Sequence, residues 1–169
     1  MERQHHESPL FTLLLFVILF SGLIASALDP TGIAAAQGRV TDIGTLSGVQ
    51  FALFIIGSAL VLMGFIIRFV AIVTLKRNFS GRLRIREGHT LTTNGIYHWV
   101  RHPAYLGAIL LFLGIPVMFS SLLGFLVMSL LIPCLLHRIK LEERMMIGQF
   151  GAEYEEYTRY SKKLIPFIY

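Results

Sequence analysis

Long apolar runs set between short polar stretches organise this chain. From Pro9 to Leu28 no position carries a formal charge, which is enough helix to cross a hydrocarbon core of about 30 Å. A second run, from about Val49 to Leu75, contains Arg68 as its one charge and ends at the basic pair Lys76 and Arg77. The third, Pro103 to Leu136, holds 34 uncharged residues. As one helix it would be about 51 Å long, too long for a single crossing, while two full crossings need about 40 residues. It reads as a tight hairpin of two short helices turning near Phe119, Ser120 and Ser121, with Pro116 and Pro133 bending its arms. The pattern predicts an all-α integral membrane protein with about four transmembrane helices. It forms a single membrane domain over 1–169, with an N-terminal helical hairpin in 1–75.

Composition supports this reading. Of 169 residues, 54% are hydrophobic and only 15% charged, too apolar for an ordinary soluble domain. The first run could be a signal peptide, but its apolar part is long and "SALDP" is a poor cleavage site, so a retained helix is expected. Charge then sets the orientation. The loop from Lys76 to His102 carries six Lys or Arg against one acid, Glu87, whereas Asp29 to Thr45 carries Asp29, Asp42 and only Arg39. The positive-inside rule puts the basic loop, the C-terminal segment and the N-terminus in the cytoplasm of a multi-pass protein. That membrane is the plasma or inner membrane in a prokaryote and the endoplasmic reticulum in a eukaryote. The net charge of +5 is membrane-side charge suited to anionic lipid headgroups. It does not point to nucleic acid, because no fold surrounds it that could enter a groove.

The chemistry-bearing residues fall in two polar pieces. The first, Asn78 to Tyr105, is long for a connection and so a candidate for function. Within it "RLRIR" alternates like a short strand, and "EGH" and "TNG" have turn chemistry. Pro103 suits the first position of a helix, whose free N–H groups favour an anion, with Arg101 or His102 beside it. The second piece, His137 to Tyr160, places Arg138 and Glu142 four residues apart on one helix face. They are either an intrahelical ion pair, contributing about 0.2–0.5 kcal/mol, or an anion-seeking and a cation-seeking group facing one cavity. Arg68, about 12 Å below its interface, is likewise either a snorkelling side chain or a partner in a polar cavity. Phe150, Tyr154 and Tyr157 recur at helical spacing, predicting an amphipathic helix packed on the bilayer or on the loop.

Several other chemistries lack support. Cys134, the only cysteine, sits in an apolar run and reads as packing. His98 and His102 have zinc-helix spacing, but Pro103 follows directly and no glutamate completes the motif, so no metal site is expected. A Ser–His–Asp triad has no suitable acid, and glycine-rich nucleotide loops are absent. The terminal "PFIY" is no prenylation signal.

The two polar pieces resemble the isoprenylcysteine carboxyl methyltransferase family and its phospholipid methyltransferase relatives. The pattern is "GHTLTTNGIYHWVRHPAYLG", a helical hairpin, "RIKLEERMMIGQFGAEYEEY" and a terminal "LIPFI". It covers about Asn78 to Tyr169, and it identifies 76–169 as a methyltransferase-like core. The resemblance implies S-adenosylmethionine held between a cytoplasmic cofactor-binding loop and the hairpin ends, with a lipophilic methyl acceptor arriving from the bilayer. On that resemblance His89, Thr90, Leu91, Thr92, Tyr97, His102, Pro103, Ala104 and Tyr105 line the cofactor pocket. Glu142 meets the cofactor ammonium, and Arg138 is the acceptor-binding and catalytic residue. A prenylcysteine-type carboxylate needs only to be oriented, whereas an amine or thiol would need a base such as His102 or a tyrosine. A phospholipid amine therefore stays open as acceptor. An NADPH-dependent sterol-reductase-like protein and a non-enzymatic membrane protein stay open as alternatives.

Overall fold

The computed structural model describes residues 9–29, 48–75 and 91–165. The expected strand at "RLRIR" and the turn at "EGH" lie outside the described residues. Helix α1 spans Pro9–Leu28 and α2 Gly48–Leu75. A one-turn 3-10 helix at Gly95–His98 precedes α3, Pro103–Met118. Helices α4 (Leu122–Ser129), α5 (Leu131–Phe150) and α6 (Ala152–Tyr160) complete the chain. Among the described residues three helical stretches are long and apolar enough to cross a membrane: Leu10–Leu28, Gly48–Leu75 and Leu122–Phe150. The expected fourth, α3, is shorter at 16 residues, or about 24 Å. The protein is an integral membrane protein.

The hairpin turns where the apolar run predicts. Ser120 takes a positive φ of 53°, and the N–H of Ser121 bonds the Pro116 carbonyl at 2.8 Å. The break between α4 and α5 at Leu130 falls one turn before Pro133. A proline clashes with the carbonyl four residues earlier and offers it no donor; that carbonyl belongs to Ser129, the last residue of α4. The amphipathic stripe is also divided. Gly151, at φ +52°, ends α5 and starts a new direction, so Phe150 stays on α5 while Tyr154 and Tyr157 are buried on α6.

Two kinds of packing build the bundle. Helices α2 and α3 run antiparallel along a seam of small residues: Gly57, Gly64 and Ala71 are the buried positions of α2, at seven-residue spacing. Their counterparts on α3 are Gly107 and Gly114. A Cβ on Gly64 would stand 2.6 Å from the Gly107 carbonyl oxygen, and one on Gly107 would stand 2.7 Å from the Arg68 backbone nitrogen. The two backbones touch, which is the membrane solution to packing helices without a hydrophobic drive between them. Elsewhere side chains interdigitate: Ile18 of α1 packs with Met128, Leu131 and Leu135, and Tyr105, Ile109 and Phe112 of α3 close around them. The outward faces of α1 and α2 display Phe16, Phe20, Phe65 and Phe69, as lipid contact requires.

The end of α1 closes the far side of the hairpin. Asp29, 4% exposed, accepts hydrogen bonds from the Ser121 hydroxyl at 2.7 Å and the Leu123 N–H at 3.1 Å. Ser121 in turn caps α4 through the Gly124 N–H at 2.9 Å. A carboxylate at the start of a helix is electrostatically favoured, because it meets unpaired N–H groups and the positive dipole end.

Candidate active site

The opposite end of the bundle gathers the polar residues. The chain reaches it from Leu91 and Thr92, both half-buried, through the 3-10 turn that carries Tyr97 inward. Tyr157 of α6 donates its hydroxyl to the Tyr97 carbonyl at 2.6 Å, so α6 packs on this loop, one of its two expected supports. Burial pushes the Tyr97 phenol up from its ordinary pKa, and the nearby negative charge of Glu142 adds to the shift. Tyr97 therefore stays protonated at neutral pH and can act as a donor. Burial raises Tyr154 and Tyr157 as well.

Beyond Trp99 the loop lies alongside the C-terminal segment, with a parallel bridge between Val100 and Lys162. The N–H groups of Arg101 and His102 donate to the carbonyls of Lys162 and Lys163 at 2.8 and 3.1 Å, and the Lys162 N–H donates to Trp99 at 2.9 Å. His102 is consequently buried, at 4% exposure, with Pro103 behind it as the first residue of α3. The first turn of α3 closes on itself, since the N–H groups of Tyr105 and Leu106 return to the His102 carbonyl.

Tyr105 is the meeting point of the site. Its hydroxyl donates to Glu142 Oε2 at 2.7 Å, and the Arg138 charge lies within electrostatic reach of it. Glu142 thus faces α3, with Arg138 one turn before it on the same helix. Arg68 of α2 donates to the Ala104 carbonyl at 2.9 Å, within electrostatic reach of Tyr105, Tyr97 and Arg138. The guanidinium turns toward the first turn of α3.

The structure therefore brings Tyr97, His102, Pro103, Ala104, Tyr105, Arg138 and Glu142 to one end of the bundle, with Leu91 and Thr92 on the approach. His89 and Thr90 lie outside the described residues. A neighbouring group was not singled out from the sequence. Glu143 Oε1 lies 3.2 Å from Arg101 Nε and 3.4 Å from His102 Nε2, and its Oε2 lies 2.9 Å from Lys163 Nζ. Arg101 also donates through Nη1 to the Ser161 carbonyl. The available signals were the doubled acid "EE" and the lysine pair before "LIPFI", neither of which names its partner. Among the described residues no cluster of three or more metal-binding side chains occurs.

Comparison with known proteins converges on one group. The family model for the isoprenylcysteine carboxyl methyltransferase family matches residues 55–148, from within α2 nearly to the end of α5. A probable protein-S-isoprenylcysteine O-methyltransferase of Oryza sativa subsp. indica is 35% identical over 116 residues, 67% of this chain and 61% of that protein. The protein-S-isoprenylcysteine O-methyltransferase of Saccharomyces cerevisiae is 32% identical over 117 residues, 68% of this chain and 49% of that one. The matched region thus covers less than two thirds of these relatives' length. A solved structure of a eukaryotic intramembrane Ras methyltransferase, an isoprenylcysteine carboxyl methyltransferase, superposes with a TM-score of 0.65 at 25% identity, covering 96% of this chain and 54% of that one.

Proposed function

The chain belongs to the isoprenylcysteine carboxyl methyltransferase family, and from that membership we propose that it transfers a methyl group to a lipophilic carboxylate acceptor at the membrane. The methyl donor is S-adenosylmethionine, and the acceptor is a prenylcysteine-type carboxyl group reaching the site from the bilayer. The observation that carries this reading is the Tyr105 hydroxyl donated to Glu142, with the Arg138 charge within electrostatic reach of the same hydroxyl. A carboxylate for a cationic donor and a guanidinium for an anionic acceptor stand side by side where the apolar hairpin meets the polar loop.

The residues present suit the donor chemically. Glu142 offers a carboxylate to an ammonium, Tyr97 and Tyr105 offer phenol hydroxyls, and buried His102 and Pro103 stand beside them. When bound, S-adenosylmethionine supplies an electrophilic methyl on a sulfonium. The work of the chain is then to position and to exclude water. Arg138 orients the acceptor carboxylate bidentately, a geometry that lysine does not reproduce. No base is needed, because a carboxylate is already ionised at neutral pH. The same family resemblance assigns Leu91, Thr92, His89 and Thr90 to donor binding. We place the loop and both termini on the cytoplasmic side, and the whole chain acts as one membrane unit.

The test uses the full chain in lipid nanodiscs with methyl-labelled S-adenosylmethionine and a farnesylated cysteine acceptor. The expected product is a methyl ester, which mild alkali releases as labelled methanol. Label that withstands alkali, or that transfers only to phospholipid amines, would overturn the carboxylate acceptor.

A further inference from the structure

We infer that Glu143 is a positioning residue, which holds the donor-binding wall at His102–Tyr105 in place by tying it to the chain's C-terminal segment. The inference rests on the functional reading above and adds a residue that this reading leaves without a role.

Glu142 and Glu143 are adjacent on α5 and so point about 100° apart around the helix. The first faces Tyr105; the second faces Arg101, His102 and Lys163. One turn of α5 therefore carries both a group for the site and the group that holds the site's wall. The wall needs such a tie. Its pairing with residues 162–163 consists of three backbone hydrogen bonds around one isolated bridge, and a pair of short strands alone is marginally stable. Without the Glu143 charge, Arg101 and Lys163 would face each other as like charges, with exposures of only 10% and 22%. Breaking a buried ion cluster by removing one partner is far costlier than the cluster's net contribution. The C-terminal segment would then part from the wall, and His102 would lose its backbone support.

The experiment measures S-adenosylhomocysteine affinity by calorimetry and amide hydrogen exchange by mass spectrometry on the same full-length variants in nanodiscs. In Glu143→Gln, protection of 99–102 and 161–164 should fall by about tenfold or more while that of the α2–α3 seam stays unchanged. S-adenosylhomocysteine affinity should fall by about tenfold. Glu143→Asp should recover part of both losses. Lys163→Met should move both in the same direction by less, and adding it to Glu143→Gln should add little. Lost protection with ligand affinity within about twofold of wild type would reduce Glu143 to a structural residue. Unchanged protection would remove the tie altogether. A wild-type chain that fails to bind S-adenosylhomocysteine overturns the functional reading, and the positioning role with it. Wild-type binding that survives Glu143→Gln overturns the positioning role alone.

Discussion

The two ends of this bundle bury charge in opposite ways. At one end Asp29 sits among neutral donors, the Ser121 hydroxyl and the Leu123 N–H, that belong to the start of α4. The carboxylate completes a helix cap and locks α1 to the hairpin. At the other end Arg68, Arg101, Arg138 and Lys163 crowd around Glu142, Glu143 and the Tyr105 hydroxyl. Among the described residues more cations than acids meet there, arranged across four separate segments. Burial of a charge within a membrane protein is expensive in either place. What separates a clamp from a site is the surplus: a cap is closed by its own donors, whereas a surplus of guanidinium groups suits an incoming anion.

The contrast can be broken by substitution. The largest effect is expected for Arg138→Ala and Arg138→Lys, which should lose about 100-fold or more of methyl transfer. Both should keep S-adenosylhomocysteine affinity near wild type. Full turnover in Arg138→Ala would make this end a second clamp. Next, Glu142→Gln removes the charge proposed to face the donor ammonium, and donor affinity should weaken by about tenfold, the loss expected for a charged hydrogen bond. Its thermal stability should stay close to wild type, and unchanged affinity would take Glu142 out of the site. At the far end Asp29→Ala strands the Ser121 hydroxyl and the Leu123 N–H, at a cost of about 1–3 kcal/mol in stability. Its turnover per folded molecule should equal wild type, and a catalytic defect there would erase the distinction. Asp29→Asn keeps the acceptor and loses only the charge at the α4 dipole, so about 0.3–1 kcal/mol should be lost.

Much of this arrangement could be read along the chain, and the part that could not has a common cause. The apolar runs located α1, α2 and the hairpin, and its turn at Phe119–Ser121, because length and hydropathy are local properties. Tyr97, His102, Tyr105, Arg138 and Glu142 were legible through their motifs. Asp29 was visible only as an acid in a polar stretch, since its partner Ser121 is 92 positions away. Glu143 was hidden in the same way: its three neighbours Arg101, His102 and Lys163 come from two segments that no periodicity links. Gly151 escaped because the aromatic stripe continues across it, while its backbone departs from the helix. The seven-residue spacing of Gly57, Gly64 and Ala71 was available in the sequence, and it marked the side of α2 that meets α3.

That glycine seam limits how the protein can change. A wall made of side chains can be reshaped one methylene at a time, but where Gly64 and Gly107 bring backbone against backbone there is nothing to trim. Any enlargement there pushes two helices apart and carries Arg68 away from Ala104. Variation in packing must therefore be absorbed on the opposite flank, where Ile18, Leu131 and Leu135 interdigitate and similar-sized apolar residues can be exchanged. In this bundle α2 and α3 act as the fixed jaw of a vice, and α1 and α5 form the side that substitution can reshape.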